Sequence, residues 1–201
     1  MVMVKTVEKN GWRYEYDTAS KHRKIYDYEI TDVRYVLGET FNPSIKRALI
    51  CIGINPSTAI PENLDPTLAR VQGYAKASGE YGAWYMLNVY PQRATDPDDL
   101  EVKAQQELCL HNLDAIKKLF AMVKNADVWC AWGGNITKRD YLKGCLQEII
   151  NQVPNNYTFV KRVPEANKEY PHPLHPIASV KTKPQLGKIE KTELLTYLET
   201  F

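Results

Sequence analysis

The sequence predicts a three-layer α/β protein, with a mainly parallel central sheet, helices on both faces and an N-terminal antiparallel β-extension. Three observations carry this prediction. Short continuous apolar runs, the mark of strands buried on both faces, recur at 48–54, 83–89 and 126–132. Amphipathic segments of helical length separate them. Before residue 38, aromatic and charged residues alternate with the two-residue period of a strand.

In chain order, Trp12, Tyr14 and Tyr16 form the first alternating segment, Tyr26, Tyr28 and Ile30 the second, and Val33 to Leu37 the third. Five of the 13 tyrosines precede residue 36, as expected of rings packing on a sheet face. The apolar run from Ala48 to Ile54 stops at Asn55-Pro56-Ser57. Asp65 then offers an N-cap and Pro66 the first helical position, for a helix through Leu68, Val71 and Tyr74 that ends near Gly79. A second strand spans 83–89, a long helix 101–124, and a third strand 126–132, closed by Gly133-Gly134. A helix over 138–151, a strand at 158–160, a loop-rich stretch over 164–184 and a terminal helix over 188–200 complete the chain.

A length of 201 residues suits a single domain, with 1–38 as the β-extension, 39–187 as the α/β core and 188–201 as the C-terminal helix. A net charge of +2 does not by itself call for nucleic acid, although it permits a local basic face. No apolar run has the length of a bilayer span, and Met1 to Asn10 lacks the apolar core of a signal peptide. A cytoplasmic location with no membrane partner is expected. Cys51, Cys109, Cys130 and Cys145 are far apart in sequence and form no Cys-x-x-Cys, so neither a disulfide framework nor a zinc site is expected. His22, His111, His172 and His175 add no metal-site spacing beyond the last two. No metal or cofactor is expected.

Ligands of such sheets bind beyond the carboxyl ends of the strands, where several unusual residues fall. Gly53 allows close approach at the first strand end, and Pro56 fixes the turn presenting Asn55, an amide able to orient a water but not to act as a strong base. Ser57 follows without a base beside it in sequence. Asn88 closes the second strand, where its amide either bonds neighbouring backbone or pairs with the edge of an amide-like ring. Arg93, in a turn with Asp96 and Asp98, either clamps an anion or pairs within its own loop. Gly133-Gly134 either presents N–H groups to an anion or simply turns the chain. In Tyr170-Pro171-His172-Pro173-Leu174-His175-Pro176, prolines hold two imidazoles on a stiff loop, where a histidine is able to donate a hydrogen bond to a leaving group.

These motifs resemble the family catalogued as domain of unknown function 1643. The resemblance runs from about Arg34 to Ser179 and rests on Asn55-Pro56-Ser57-Thr58-Ala59, Asp65-Pro66-Thr67, Asn88, Arg93-Ala94-Thr95-Asp96-Pro97, Ala131-Trp132-Gly133 and His172-Pro173-Leu174. The sequence departs from that pattern at Pro171 and His175. More distantly, Gly53-Ile54-Asn55-Pro56, Met86-Leu87-Asn88, Trp132-Gly133 and His172-Pro173-Leu174 resemble, in the same order, motifs of the uracil-DNA glycosylase superfamily. That resemblance implies a hydrolase fold acting on or binding a nucleobase, in DNA or in a nucleotide. Asn55 would position the attacking water, Asn88 would read the base, and His172 would stabilise its departure. Tyr74 would stack on the base, with Gly53, Ser57, Arg93, Gly133 and His175 contributing to substrate binding. Breaking an N-glycosidic bond proceeds through a cationic sugar and needs no strong nucleophile.

Charge gives modest support for a nucleic-acid partner. Lys161, Arg162, Lys168, Lys181, Lys183, Lys188 and Lys191, against Glu165, Glu169 and Glu190, leave an excess of four positive charges around the His172 loop. Two further readings fit the same residues. One is a non-catalytic nucleic-acid or nucleotide binding module. The other is an enzyme on another small anionic metabolite, gripped by Arg93 and His172.

Overall fold

A computed structural model describes residues 3–19, 23–25, 28–164, 168–178 and 184–201. His22, Tyr26, Glu165, Ser179, Lys181 and Lys183, all used in the reading above, lie outside these residues. The described strands are β1 (Val4–Lys9), β2 (Trp12–Asp17), β3 (Arg23–Ile25), β4 (Tyr28–Ile30), β5 (Arg34–Thr40), β6 (Arg47–Gly53), β7 (Ala83–Asn88), β8 (Asn125–Cys130), β9 (Thr158–Arg162) and β10 (Leu186–Lys188). The helices are α1 (Pro66–Ser78), α2 (Gln106–Met122), α3 (Asp140–Gln152) and α4 (Lys191–Leu198).

Eight strands form one mixed sheet in the order β1-β2-β5-β7-β6-β8-β9-β10, and β3 pairs with β4 separately. The expectation of a mainly parallel sheet needs correction. Only the pairings of β6 with β7, β6 with β8 and β8 with β9 are parallel. Four pairings on the flanks are antiparallel. Helical crossovers impose parallel pairing only between β6 and β9, whereas β1 and β2 are joined by a tight Asn10-Gly11 turn that reverses the chain. The N-terminal strands are therefore continuous with the core sheet through β5 and β7.

Side-chain alternation divides the core between the two faces. Leu49, Cys51, Trp84, Met86 and Trp129 pack with Leu68, Val71 and Ala75 of α1 and with Tyr14 and Tyr16 of β2. On the other face, Ile50, Ile52, Leu87, Val128 and Cys130 pack with α2, α3 and α4 through Leu108, Ala115, Leu142, Leu146 and Leu194. The parallel segment runs β7-β6-β8-β9, so the chain steps from β6 to β7 on one side and then crosses back to β8 on the other. The loops leaving β6 and β8 consequently diverge, opening a crevice at their carboxyl ends.

Local chemistry explains most element ends. The Asp65 carboxylate accepts from the Leu68 N–H at 2.8 Å, Pro66 opens α1, and Gly79 closes it at φ 72°. α2 begins at Gln106 rather than near Glu101, because the preceding backbone is held elsewhere: the Gln105 N–H donates to the Tyr90 hydroxyl, and the Glu101 carbonyl accepts from Arg139 and Tyr141. β10 was not foreseen, since three residues containing a glycine are too few to show a period. α2 and α3 also bring Cys109 and Cys145, distant in sequence, to a Sγ–Sγ separation of 3.7 Å as free thiols. No helix among the described residues is long and apolar enough to cross a membrane.

Candidate functional site

The crevice between the ends of β6 and β8 holds a cavity of about 300 Å³. Gly53, Asn55 and Ser57 line it from the end of β6, Asp65 and Thr67 from the start of α1, and Trp132, Asn135 and His175 from beyond β8. Met86 and Arg34 also line it.

Asn55 is oriented by its surroundings. Its Nδ2 donates to the Ala94 carbonyl at 2.7 Å and to the Pro56 carbonyl at 3.2 Å. Both amide protons are thereby committed, and Oδ1 remains as an acceptor with no protein partner among the described residues. Next to it the Ser57 hydroxyl donates to Asp65 Oδ2, while Oδ1 of the same carboxylate caps α1. Sequence reading found Asp65 as a cap but not as a partner of Ser57, because the two approach only when the loop folds back on the helix start. His175 also belongs to this cavity, and burial lowers its pKa from 6.5, which favours a neutral imidazole near neutral pH.

Asn88 is fully buried, and neither Nδ2 nor Oδ1 has a partner among the described residues. Its Cα lies opposite Gly53 in the β6–β7 ladder, and its side chain points to the same face as Met86, two residues earlier. A Cβ built on Gly53 would stand 3.6 Å from Asn88 Oδ1 and 2.6 Å from Met86 Cε. Gly53 and Met86 both line the cavity, and Asn88 lies directly behind Gly53 without lining it. Beneath it, Asn112 Nδ2 donates to the Asn88 backbone carbonyl at 2.9 Å and fixes the strand end.

His172 lies apart, in a separate recess of about 170 Å³ with Lys161, Tyr170 and Tyr197. The Trp132 indole donates to the Tyr197 hydroxyl at 3.1 Å, and that hydroxyl lies 2.8 Å from His172 Nδ1. The Tyr197 hydroxyl thus links the indole to the imidazole and fixes the orientation of the His172 ring. Burial lowers the His172 pKa as well. Phe201 packs edge-on against the imidazole at 5.3 Å. The expectation that His172 faces the same cavity as Asn55 is therefore corrected, because the loop turns between the two histidines and α4 covers the first.

Three other residues also sit elsewhere than expected. Tyr74 faces a groove on the outer side of α1 and packs against Trp129 at 5.6 Å, away from the cavity. Arg93 pairs with no aspartate of its loop; it donates to the Ser57 and Ala59 carbonyls and, at 2.8 Å, to the Tyr14 hydroxyl. The Gly133 N–H is spent on the Pro173 carbonyl at 2.9 Å, a bond that docks the histidine loop on the end of β8. Among the basic residues around His172, Arg162 is buried and donates to the Ala178 carbonyl, so it serves that loop rather than the surface. No group of three or more His, Cys, Asp or Glu among the described residues is arranged to hold a metal ion.

Arg34 was missed altogether. It opens β5, is fully buried, and donates from Nη1 to the Ala59 carbonyl at 3.1 Å. Nε and Nη2 have no partner among the described residues, and burial together with nearby Arg93 lowers its pKa from 12.5 to about 9. No local pattern marks it, because an arginine amid strand residues ordinarily points outward.

Fold and site together define an α/β protein with a small polar cavity at the switch point of its sheet, built from one acceptor amide, a hydroxyl–carboxylate pair and a neutral imidazole. The chain belongs to the family of proteins of unknown function DUF1643, whose model matches residues 34–177. No curated protein and no solved structure matches it.

Proposed function

We propose that the cavity binds a nucleobase and that the protein hydrolyses an N-glycosidic bond, in a nucleotide or in nucleic acid. The observation carrying this reading is the Asn88 amide directly behind Gly53, whose nitrogen and oxygen have no partner among the described residues. A buried unsatisfied amide costs about 1–3 kcal/mol, a penalty that a ligand relieves by pairing with both atoms. The carbonyl and adjacent N–H of a pyrimidine ring match that pair.

Asn55 Oδ1 accepts a hydrogen bond from water and aims its oxygen at the sugar carbon. As the C1′–N bond breaks, its electron pair leaves with the base and the sugar becomes cationic. The water oxygen bonds to that carbon, and the proton it releases neutralises the departing base. His175, a neutral imidazole on the cavity wall, takes the part of donor to the leaving base that the sequence had suggested for His172. The distant resemblance to uracil-DNA glycosylase motifs agrees with this chemistry.

Incubation with uracil- and mismatch-containing oligonucleotides, and with deoxyuridine and its monophosphate, tests the reading. Free base should appear, and Asn55→Ala should slow its release by about 10²-fold or more. Binding without any product would leave a nucleotide-binding module. Neither binding nor product would end the proposal.

A further inference from the structure

Among the described residues, the buried cation Arg34 is a costly feature without a structural account. A guanidinium removed from water is normally paired with a carboxylate or saturated with hydrogen bonds. Arg34 has one bond, to the Ala59 carbonyl, and no described carboxylate pairs with it. A second buried guanidinium, Arg93, lies close enough to depress its basicity, so like charge adds to the cost.

The identity of the two idle nitrogens matters. Nε–H and one Nη2–H lie parallel on the same edge of a guanidinium, and that edge grips a carboxylate or phosphate through two bonds. In Arg34 the remaining nitrogen, Nη1, is the one held by protein. The residue forms part of the same cavity wall as Asn55 and Ser57, near the first turn of α1, whose Thr67 and Leu68 also face the space. A helix N-terminus favours negative charge there. Asp65 contributes the opposing charge, but its oxygens are occupied by the Ser57 hydroxyl and the Leu68 N–H.

We propose that the cavity takes its nucleobase ligand as a phosphate monoester, with the phosphate seated on the Nε/Nη2 edge of Arg34. The inference rests on the nucleobase reading for the rest of the ligand, but its own footing is Arg34 alone. A mononucleotide is favoured over a strand because Arg34 has no exposed surface for a polymer backbone to track across.

Calorimetric titration with deoxyuridine, deoxyuridine monophosphate, inorganic phosphate and a uracil-containing oligonucleotide tests it. The monophosphate should bind at least about tenfold tighter than the nucleoside, the lower end for a charge-assisted pair of bonds. Arg34→Met should abolish that preference yet melt no lower than the native protein, since it removes an unpaired buried charge. If Arg34→Met fails to fold, Arg34→Lys keeps the charge without the fork, and the preference should fall about tenfold. Equal binding of nucleoside and monophosphate overturns the inference while leaving the nucleobase reading intact. Arg34-dependent binding of phosphate with none of the nucleoside does the reverse. A preference untouched in both variants, or an oligonucleotide bound through Arg34 more tightly than the monophosphate, overturns the phosphate-monoester assignment.

Discussion

Asn88 and Asn55 are the same residue type at neighbouring strand ends, yet their surroundings give them opposite states. Asn55 spends both amide protons on backbone carbonyls and keeps one acceptor free. Asn88 spends nothing and is buried. Packing that needed Asn88 would have satisfied it, so its replacement separates a packing role from a binding one. We expect Asn88→Leu, with the same branching and heavy-atom count but no polar atoms, to gain about 1 kcal/mol, which corresponds to roughly 2–4 °C in melting temperature for a chain of this size. The same variant should lose nucleobase binding. A drop in melting temperature of several degrees would mark Asn88 as a structural residue.

At the scale of the element, α1 links sequence most directly to site. Asp65 and Pro66 start it, Gly79 ends it, and its first turn forms one side of the cavity. Two of its glycines respond oppositely to substitution. Gly73 lies inside the helix with nothing within 4 Å of a built Cβ, so Gly73→Ala should stabilise by about 0.5–1 kcal/mol. Gly79 has φ 72°, a left-handed conformation that a Cβ disfavours, and Gly79→Ala should destabilise by about 1 kcal/mol. Thermal melts of the two variants should move in opposite directions. The start of α2 is set less locally: it begins late because Tyr90, Arg139 and Tyr141 claim the backbone ahead of it.

Across the whole molecule, one loop ties the site together. The His172–His175 segment docks on β8 through Gly133, sends His175 into the cavity and tucks His172 beneath α4. Both imidazoles have pKa values lowered by burial, so the unfolded chain binds more protons than the folded one below the ordinary histidine value of 6.5. Stability from these groups is complete above about pH 6.5 and is lost as pH falls from there through the lower folded values. Melting temperatures taken between pH 7.5 and 5 should fall with acidification, and His172→Asn combined with His175→Gln should flatten that fall. An unchanged slope in the double variant would locate the acid sensitivity elsewhere.

Much of this architecture was legible in the sequence, because buried strands and capped helices are written in local patterns: the apolar run ending at Gly53, the Asp65-Pro66 start and the Gly79 stop each depend on residues within a few positions. The alternation of strand and helix likewise determined the parallel centre of the sheet. What only the tertiary structure decided was the antiparallel flanks and the membership of the cavity, since both depend on contacts between distant segments. Asp65 with Ser57, Arg34 beneath the 57–59 carbonyls, and His175 rather than His172 beside Asn55 all follow from how loops cross at the sheet end. A side chain's local pattern tells whether it is buried, but its partners are fixed by chain geometry over tens of residues, and that geometry is where the chemistry of this site is decided.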